Sequence, residues 1–145
     1  MTDTTTPTIH ELVLAIINDP TSKIARQQLY KHVKQARFFL AVYGIPLDMH
    51  NALNQQKVFK SEQLQHMPIQ LAVTDSGSKA LLAYLDTETL AANAPNHWVV
   101  EVSGSDLLNL VLLNPEFDAA VLKGNMGWAG IAKEDAHLLM KGYAA

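Results

Sequence analysis

From Arg37 to Leu139 the chain changes hydrophobic period repeatedly, extended apolar runs giving way to short helix-forming segments in the order hairpin, helix, strand, helix, strand, helix. Strands bury side chains at a period of two and helices at 3.6, so each change of period marks a new element. Short strands interleaved with helices share one core when the helices lie over a sheet. The expected fold is α+β: a single domain over residues 8–145 with a mixed, largely antiparallel sheet of about five strands covered by helices. A flexible, Thr-rich tail at residues 1–7 precedes it.

Local chemistry sets the element boundaries. Thr8 and Glu11 have the spacing of a capping box ahead of the apolar run 12–17, and Asp19-Pro20 ends that helix because a residue before proline is pushed out of helical geometry. Thr21 or Ser22 caps a second helix over about 23–35. Residues 37–43 then read as a buried strand closed by Gly44 and Pro46. Residues 47–66 are polar and read as a long connection with a helical turn or two. Residues 69–74 and 80–85 form a hairpin around Asp75-Ser76-Gly77-Ser78-Lys79. Asp86 or Thr87 caps a short helix to Ala92, residues 98–102 are a strand, and Ser103 to Asp106 opens a helix that Asn114-Pro115 stops. Residues 118–122 are a strand, 124–130 a glycine-punctuated loop with a brief edge strand at its end, and 133–141 a final helix halted by Gly142.

With 145 residues, 48% of them hydrophobic and 17% charged, the chain can bury a core without covalent staples. The absence of cysteine excludes disulfides, thiolate metal sites and cysteine nucleophiles, and is compatible with a reducing cytoplasm. No apolar run approaches the roughly 20 residues of a membrane span, and the first residues lack the layout of a signal peptide, so a cytoplasmic protein with no membrane partner is expected. Net charge is −3 but unevenly laid out. Residues 1–66 carry seven Lys/Arg and five Asp/Glu (+2), whereas residues 67–145 carry four and nine (−5). That balance argues against a nucleic-acid partner and leaves two electrostatically different faces.

No catalytic, cofactor-binding or metal-ligating set emerges. The six histidines show no H-E-x-x-H spacing and no accompanying carboxylate cluster. Asp75-Ser76-Gly77-Ser78 has the chemistry of a tight turn, and a nucleophilic serine needs a positioned base that cannot be located here. Gly124, Gly127 and Gly130 resemble a phosphate-cradling loop in spacing but lack Gly-Lys-Ser/Thr, so turn geometry is the preferred reading. Trp128, within that loop, is expected to fold back onto the core, with a partner-binding anchor as the alternative. The best surface candidate is the stripe Lys23, Arg26, Tyr30, Lys34 and Arg37 on the second helix, cations around an aromatic that suit an acidic partner.

The segment order resembles the N-terminal domain of the SseB family, bacterial proteins named for enhanced serine sensitivity and associated with type III secretion. The likeness runs from about residue 9 to 140. It rests on Asn18-Asp19-Pro20, the helix with Arg26 and Tyr30, the strand ending Val42-Tyr43-Gly44, the hairpin from Pro68-Ile69-Gln70-Leu71 to Ala83-Tyr84-Leu85-Asp86, and Gly104-Ser105-Asp106-Leu107-Leu108 with Leu113-Asn114-Pro115. Tyr84-Leu85-Asp86 departs from the family's aromatic-Thr-Ser step, and Glu116-Phe117 from its small residue after Asn-Pro. The likeness does not extend to the larger C-terminal domain usual in the family. It implies an α+β fold and protein–protein interaction, with no enzymatic reaction and no catalytic residues. The expected function is a non-catalytic interaction domain whose partner is another protein: an effector, a toxin neutralised by an immunity protein, or a secretion component, with a homodimer as a further arrangement. The alternative is a small-ligand binder or enzyme using the loop Gly124–Gly130.

Overall fold

The computed structural model describes residues 8–43, 58–59, 64, 67–73, 76–95 and 97–142. The Thr-rich tail, and all of the polar connection 47–66 but Val58, Phe59 and Leu64, lie outside the described residues. The chain opens with α1 (Ile9–Asn18) and α2 (Lys23–His32), a 3-10 turn (Val33–Gln35), and the strands β1 (Arg37–Val42), β2 (Val58–Phe59), β3 (Leu71–Val73) and β4 (Lys79–Tyr84). There follow α3 (Thr87–Asn93), β5 (Trp98–Ser103), α4 (Gly104–Leu113), β6 (Phe117–Gly124), β7 (Gly127–Ala132) and α5 (Lys133–Met140). The fold is α+β, with five strands of six or more residues and two short ones among the described residues.

Four of the five described helices start where side chains satisfy their free N–H groups; α5, after Ala132, has no such cap. Thr8 and Glu11 close a reciprocal capping box on α1, Ser22 accepts from the Ala25 N–H, Asp86 from Thr89 and Ser103 from Asp106. Each such cap contributes about 1 kcal/mol.

The strands lie in the order β2-β5-β1-β4-β6-β7, with β3 on the β4 edge beside β1. Pairing is antiparallel for β1 with β4 and β5, β3 with β4, and β6 with β7, and parallel for β2 with β5 and β4 with β6. β1 touches β4 at one register pair, Phe39 with Tyr84, and then diverges. The segment running into β3 wedges into the gap: Gln70 donates its N–H to the Ala41 carbonyl at 2.8 Å, and the Tyr84 hydroxyl donates to Gln70 Oε1 at 2.6 Å.

Period-two alternation divides the core. Phe38, Leu40, Val42, Leu81, Ala83, Val100, Val102, Ala120, Leu122, Ala129 and Ile131 join the main cluster with Leu12, Val13, Ile16, Leu29, Leu107, Leu110 and Leu139 of the helices. The alternate residues Ala41, Leu82 and Tyr84 form a second, smaller cluster with Leu90 and Ala94 of the α3 segment. Thus α3 covers the opposite sheet face from the other four described helices. The connections β4-α3-β5 and β5-α4-β6 run in opposite directions along the sheet and on opposite faces, as a shared crossover hand requires.

The glycine-rich segment 124–130, expected as a loop, is instead a tight hairpin: residues 125–126 make the turn and β7 is a full six-residue strand. The glycines serve packing. A Cβ on Gly124 would stand 2.9 Å from Leu85 Cδ1, and one on Gly127, whose φ is +135°, 3.0 Å from Ile17 Cδ1. A side chain at either position would make Leu85 or Ile17 give way, and at Gly127 would also strain the backbone.

Candidate functional site

Two regions bring together residues with chemistry to offer, and they meet at the β6–β7 hairpin. The first is a crevice outside the carboxyl ends of the adjacent parallel strands β4 and β6, the place where sheets of this kind commonly hold ligands. Leaving β4, the chain passes Leu85 and Asp86 into α3, while β6 turns back at Asn125 and Met126. The helix α1 crosses these strand ends, and His10 Nε2 meets Asp86 Oδ2 at 2.8 Å, joining residues 76 apart in sequence. Burial alone would raise the Asp86 pKa. The Thr89 N–H and the His10 ring together outweigh that and hold the carboxyl below its ordinary value.

On one side of this pair, between α1 and the hairpin turn, lies an apolar slot of about 170 Å³ whose walls include Val13, Leu14, Ile17, Leu85 and Met126. On the other side, between α3 and the end of β6, is a more polar cleft of about 400 Å³ faced by Asp86, Glu88, Asn93 and Lys123. The two adjoin at Gly124 and Asn125. The glycines are marked in the sequence, but the site pairs His10 and Glu11 with Asp86 and Glu88, some 76 residues on, which meet only because α1 lies across the strand ends. Among the described residues no group of three or more His, Asp or Glu is placed to hold a metal ion.

The second region is the outer strand. Trp128, expected on the core, is instead 60% exposed, and Met126 at the turn is 68% exposed. Alternation explains the reversal. Ala129 and Ile131 point into the main core, so Trp128, Gly130 and Ala132 face the other side of β7, where the indole lies 3.7 Å from the position of a Gly130 Cβ. In register across that face stand Phe39, Tyr84, Lys123 and Trp128.

The basic stripe expected on the second helix is divided: α2 ends at His32, so Lys34 falls in the 3-10 turn and Arg37 at the start of β1. Tyr30 is buried, its hydroxyl donating to Asp135 Oδ2 at 2.8 Å and accepting from Arg26 Nη1 at 3.2 Å. Burial is the main cause that raises the Tyr30 pKa; Asp135 adds to it and Arg26 opposes it. Arg26 Nη1 also donates to the Gly130 carbonyl at 3.0 Å. That carbonyl faces outward. The Lys123 carbonyl accepts from the Leu85 N–H at 2.9 Å, toward β4, so Lys123 and Trp128 form a non-hydrogen-bonded pair. By alternation the backbone groups of Trp128 and Gly130 then point away from β6, and Arg26 caps one of them, guarding the sheet edge. Arg26 and Tyr30 therefore clamp α2 to β7 and α5. Lys23 and Arg37 are exposed and Lys34 is half-buried.

Of the other sequence candidates, Asp75 and Thr74 lie outside the described residues, while Ser76 to Ser78 make a turn with Gly77 at φ +87°. Asn114 caps α4, its Oδ1 accepting from the Glu116 N–H and its carbonyl from Lys133 Nζ. Among the described residues no helix is long and apolar enough to cross a membrane. No family model matches the chain, and no curated protein or solved structure does so either.

Proposed function

We propose that this chain is a non-catalytic protein-interaction domain, SseB-like in its order of elements, and that it docks a protein partner through the β6–β7 hairpin. The observation that carries this reading is Trp128, a tryptophan held out of the core on an outer strand, with Met126 exposed at the hairpin turn. Tryptophan is among the residues most enriched where binding energy concentrates, because a rigid indole gives much contact area at little cost in conformational entropy. Lys23 of α2 and Arg37 at the start of β1, the exposed members of the expected stripe, supply charge for steering more than for affinity. The partner is a protein of the bacterial cytoplasm: an effector, a toxin held by an immunity protein, or a secretion component.

The test is photo-crosslinking from position 128, paired with capture by the native chain and by Trp128→Ala. Partners that crosslink at 128 and are lost with the alanine variant support the reading. Partners captured equally by both overturn it. Sedimentation of the isolated chain reads a homodimer directly, as a doubled mass that Trp128→Ala returns to a monomer.

A second reading, a small-ligand binder using the hairpin, is favoured by one observation: the slot and cleft that adjoin at Gly124 and Asn125.

A further inference from the structure

We propose that the crevice at the ends of β4 and β6 binds a small organic cation, an ammonium group carried on an apolar body of about the size of a benzene ring. The inference rests on the small-ligand reading of this crevice and names the chemistry of its occupant.

The slot sets the size. Its volume of about 170 Å³ is close to that of apolar cavities of about 150 Å³ that accept benzene. Val13, Leu14, Ile17, Leu85 and Met126 give that body an apolar environment, and Gly124 and Gly127 keep the backbone close without side chains to fill the space.

The rim sets the charge. Glu11 stands in the slot's lining, Asp86 and Glu88 in that of the adjoining cleft, and Lys123 is the one lysine or arginine among the residues lining either. Asp86 keeps its charge to lower pH than an ordinary aspartate, and the His10 ring fixes its orientation. Glu11 also accepts from Thr8, and Asp86 accepts from Thr89 and lies beside His10, yet Glu11, Asp86 and Glu88 together outnumber Lys123 around the two openings, a balance that favours a cation over an anion. The apolar slot beside these groups suits a cation that carries an apolar part. A primary ammonium offers three donors to the carboxylate oxygens.

Benzylamine is the probe, with benzyl alcohol and phenylacetate as uncharged and anionic counterparts carrying the same ring. Each is titrated into the full-length chain near pH 7 while backbone amide NMR shifts are followed. A ligand this small binds in the millimolar range, which this method reads directly. Benzylamine is expected to shift the Gly124, Asn125 and Gly127 amides saturably, at least tenfold more tightly than phenylacetate. Leu14→Phe, which fills the slot, abolishes the response, and Glu88→Gln, at an exposed position, weakens it several-fold. Equal binding of phenylacetate or benzyl alcohol at these amides keeps the crevice as a ligand site and overturns the cation. Binding unchanged in Glu88→Gln also overturns it. If none of the three probes gives a saturable response at these amides, the ligand-binding reading falls with the proposal.

Discussion

Replacing Gly104 with alanine separates local propensity from packing, because the two predict opposite signs. Gly104 is the first residue of α4, and alanine favours a helix over glycine by about 1 kcal/mol, so propensity alone forecasts a gain in stability. In the structure a Cβ at this position would stand 1.7 Å from the Val33 carbonyl oxygen, 2.6 Å from its carbon and 3.0 Å from Lys34 Cα. All three are backbone atoms, so no side chain can swing aside. Relief requires the 3-10 turn and α4 to separate by more than an ångström, which strains or breaks the 2.8 Å hydrogen bond from the Gly104 N–H to the Ala36 carbonyl. Overpacking of a buried contact costs about 1–3 kcal/mol and an unmet buried backbone group a further ~1–3 kcal/mol. Subtracting the propensity gain leaves a loss of about 3 kcal/mol. With a urea dependence of about 2 kcal/mol per molar, the unfolding midpoint falls by about 1.5 M. Gly77→Ala is the comparison: it carries left-handed strain at φ +87° but meets nothing within 4 Å, and costs about 1 kcal/mol. A midpoint for Gly104→Ala at or above that of the parent, or above that of Gly77→Ala, refutes the argument.

Tyr30→Phe removes the hydroxyl that joins Arg26 to Asp135 and lowers stability by about 1–2 kcal/mol in urea unfolding; a double-mutant cycle with Asp135→Asn returns a coupling above ~0.5 kcal/mol. Trp128→Ala, on an exposed face, changes stability by less than about 0.5 kcal/mol in the same assay, so any loss of partner capture reports binding alone. Asp86 has a folded pKa below its unfolded one. It therefore contributes stability that is present above about pH 4 and is lost as pH falls through the folded value, and Asp86→Asn flattens that part of the acid unfolding profile. Tyr30 is shifted the other way: its contribution is full below about pH 10 and fades as pH rises through the folded value, and ultraviolet difference titration finds a phenol ionising later than a free tyrosine.

The parts of the fold legible in the sequence are those decided within a few residues. Thr8 with Glu11, Ser22, Asp86 and Ser103 mark helix starts because each cap bonds to an N–H three positions on. Strand β7 was hidden because Gly127 and Gly130 resemble loop punctuation, although the glycines are explained by Ile17 packed against one and the Trp128 ring near the other. The outward aim of Trp128 was readable in principle, since Ala129 and Ile131 alternate with it. The stripe Arg26–Tyr30 was found by helical spacing, but its role was not, because Gly130 and Asp135 lie 104 and 105 residues further along. The crevice is legible least of all: it exists because β4 and β6 are neighbours in the sheet, with β5 between them in the sequence and elsewhere in space.

The clamp made by α1 and α2 bears on how this protein is synthesised. Three ties these helices make to the hairpin and to α5, Ile17 against Gly127, Arg26 to Gly130 and Tyr30 to Asp135, wait for residues made more than a hundred positions later. While the ribosome is still at work, Leu12, Val13 and Ile16 have helical propensity but lack their finished seat, and such long-range closure slows folding. A nascent chain halted before Gly127 would show those apolar side chains to chaperones and proteases, and β7 with α5 would act as the latch that withdraws them.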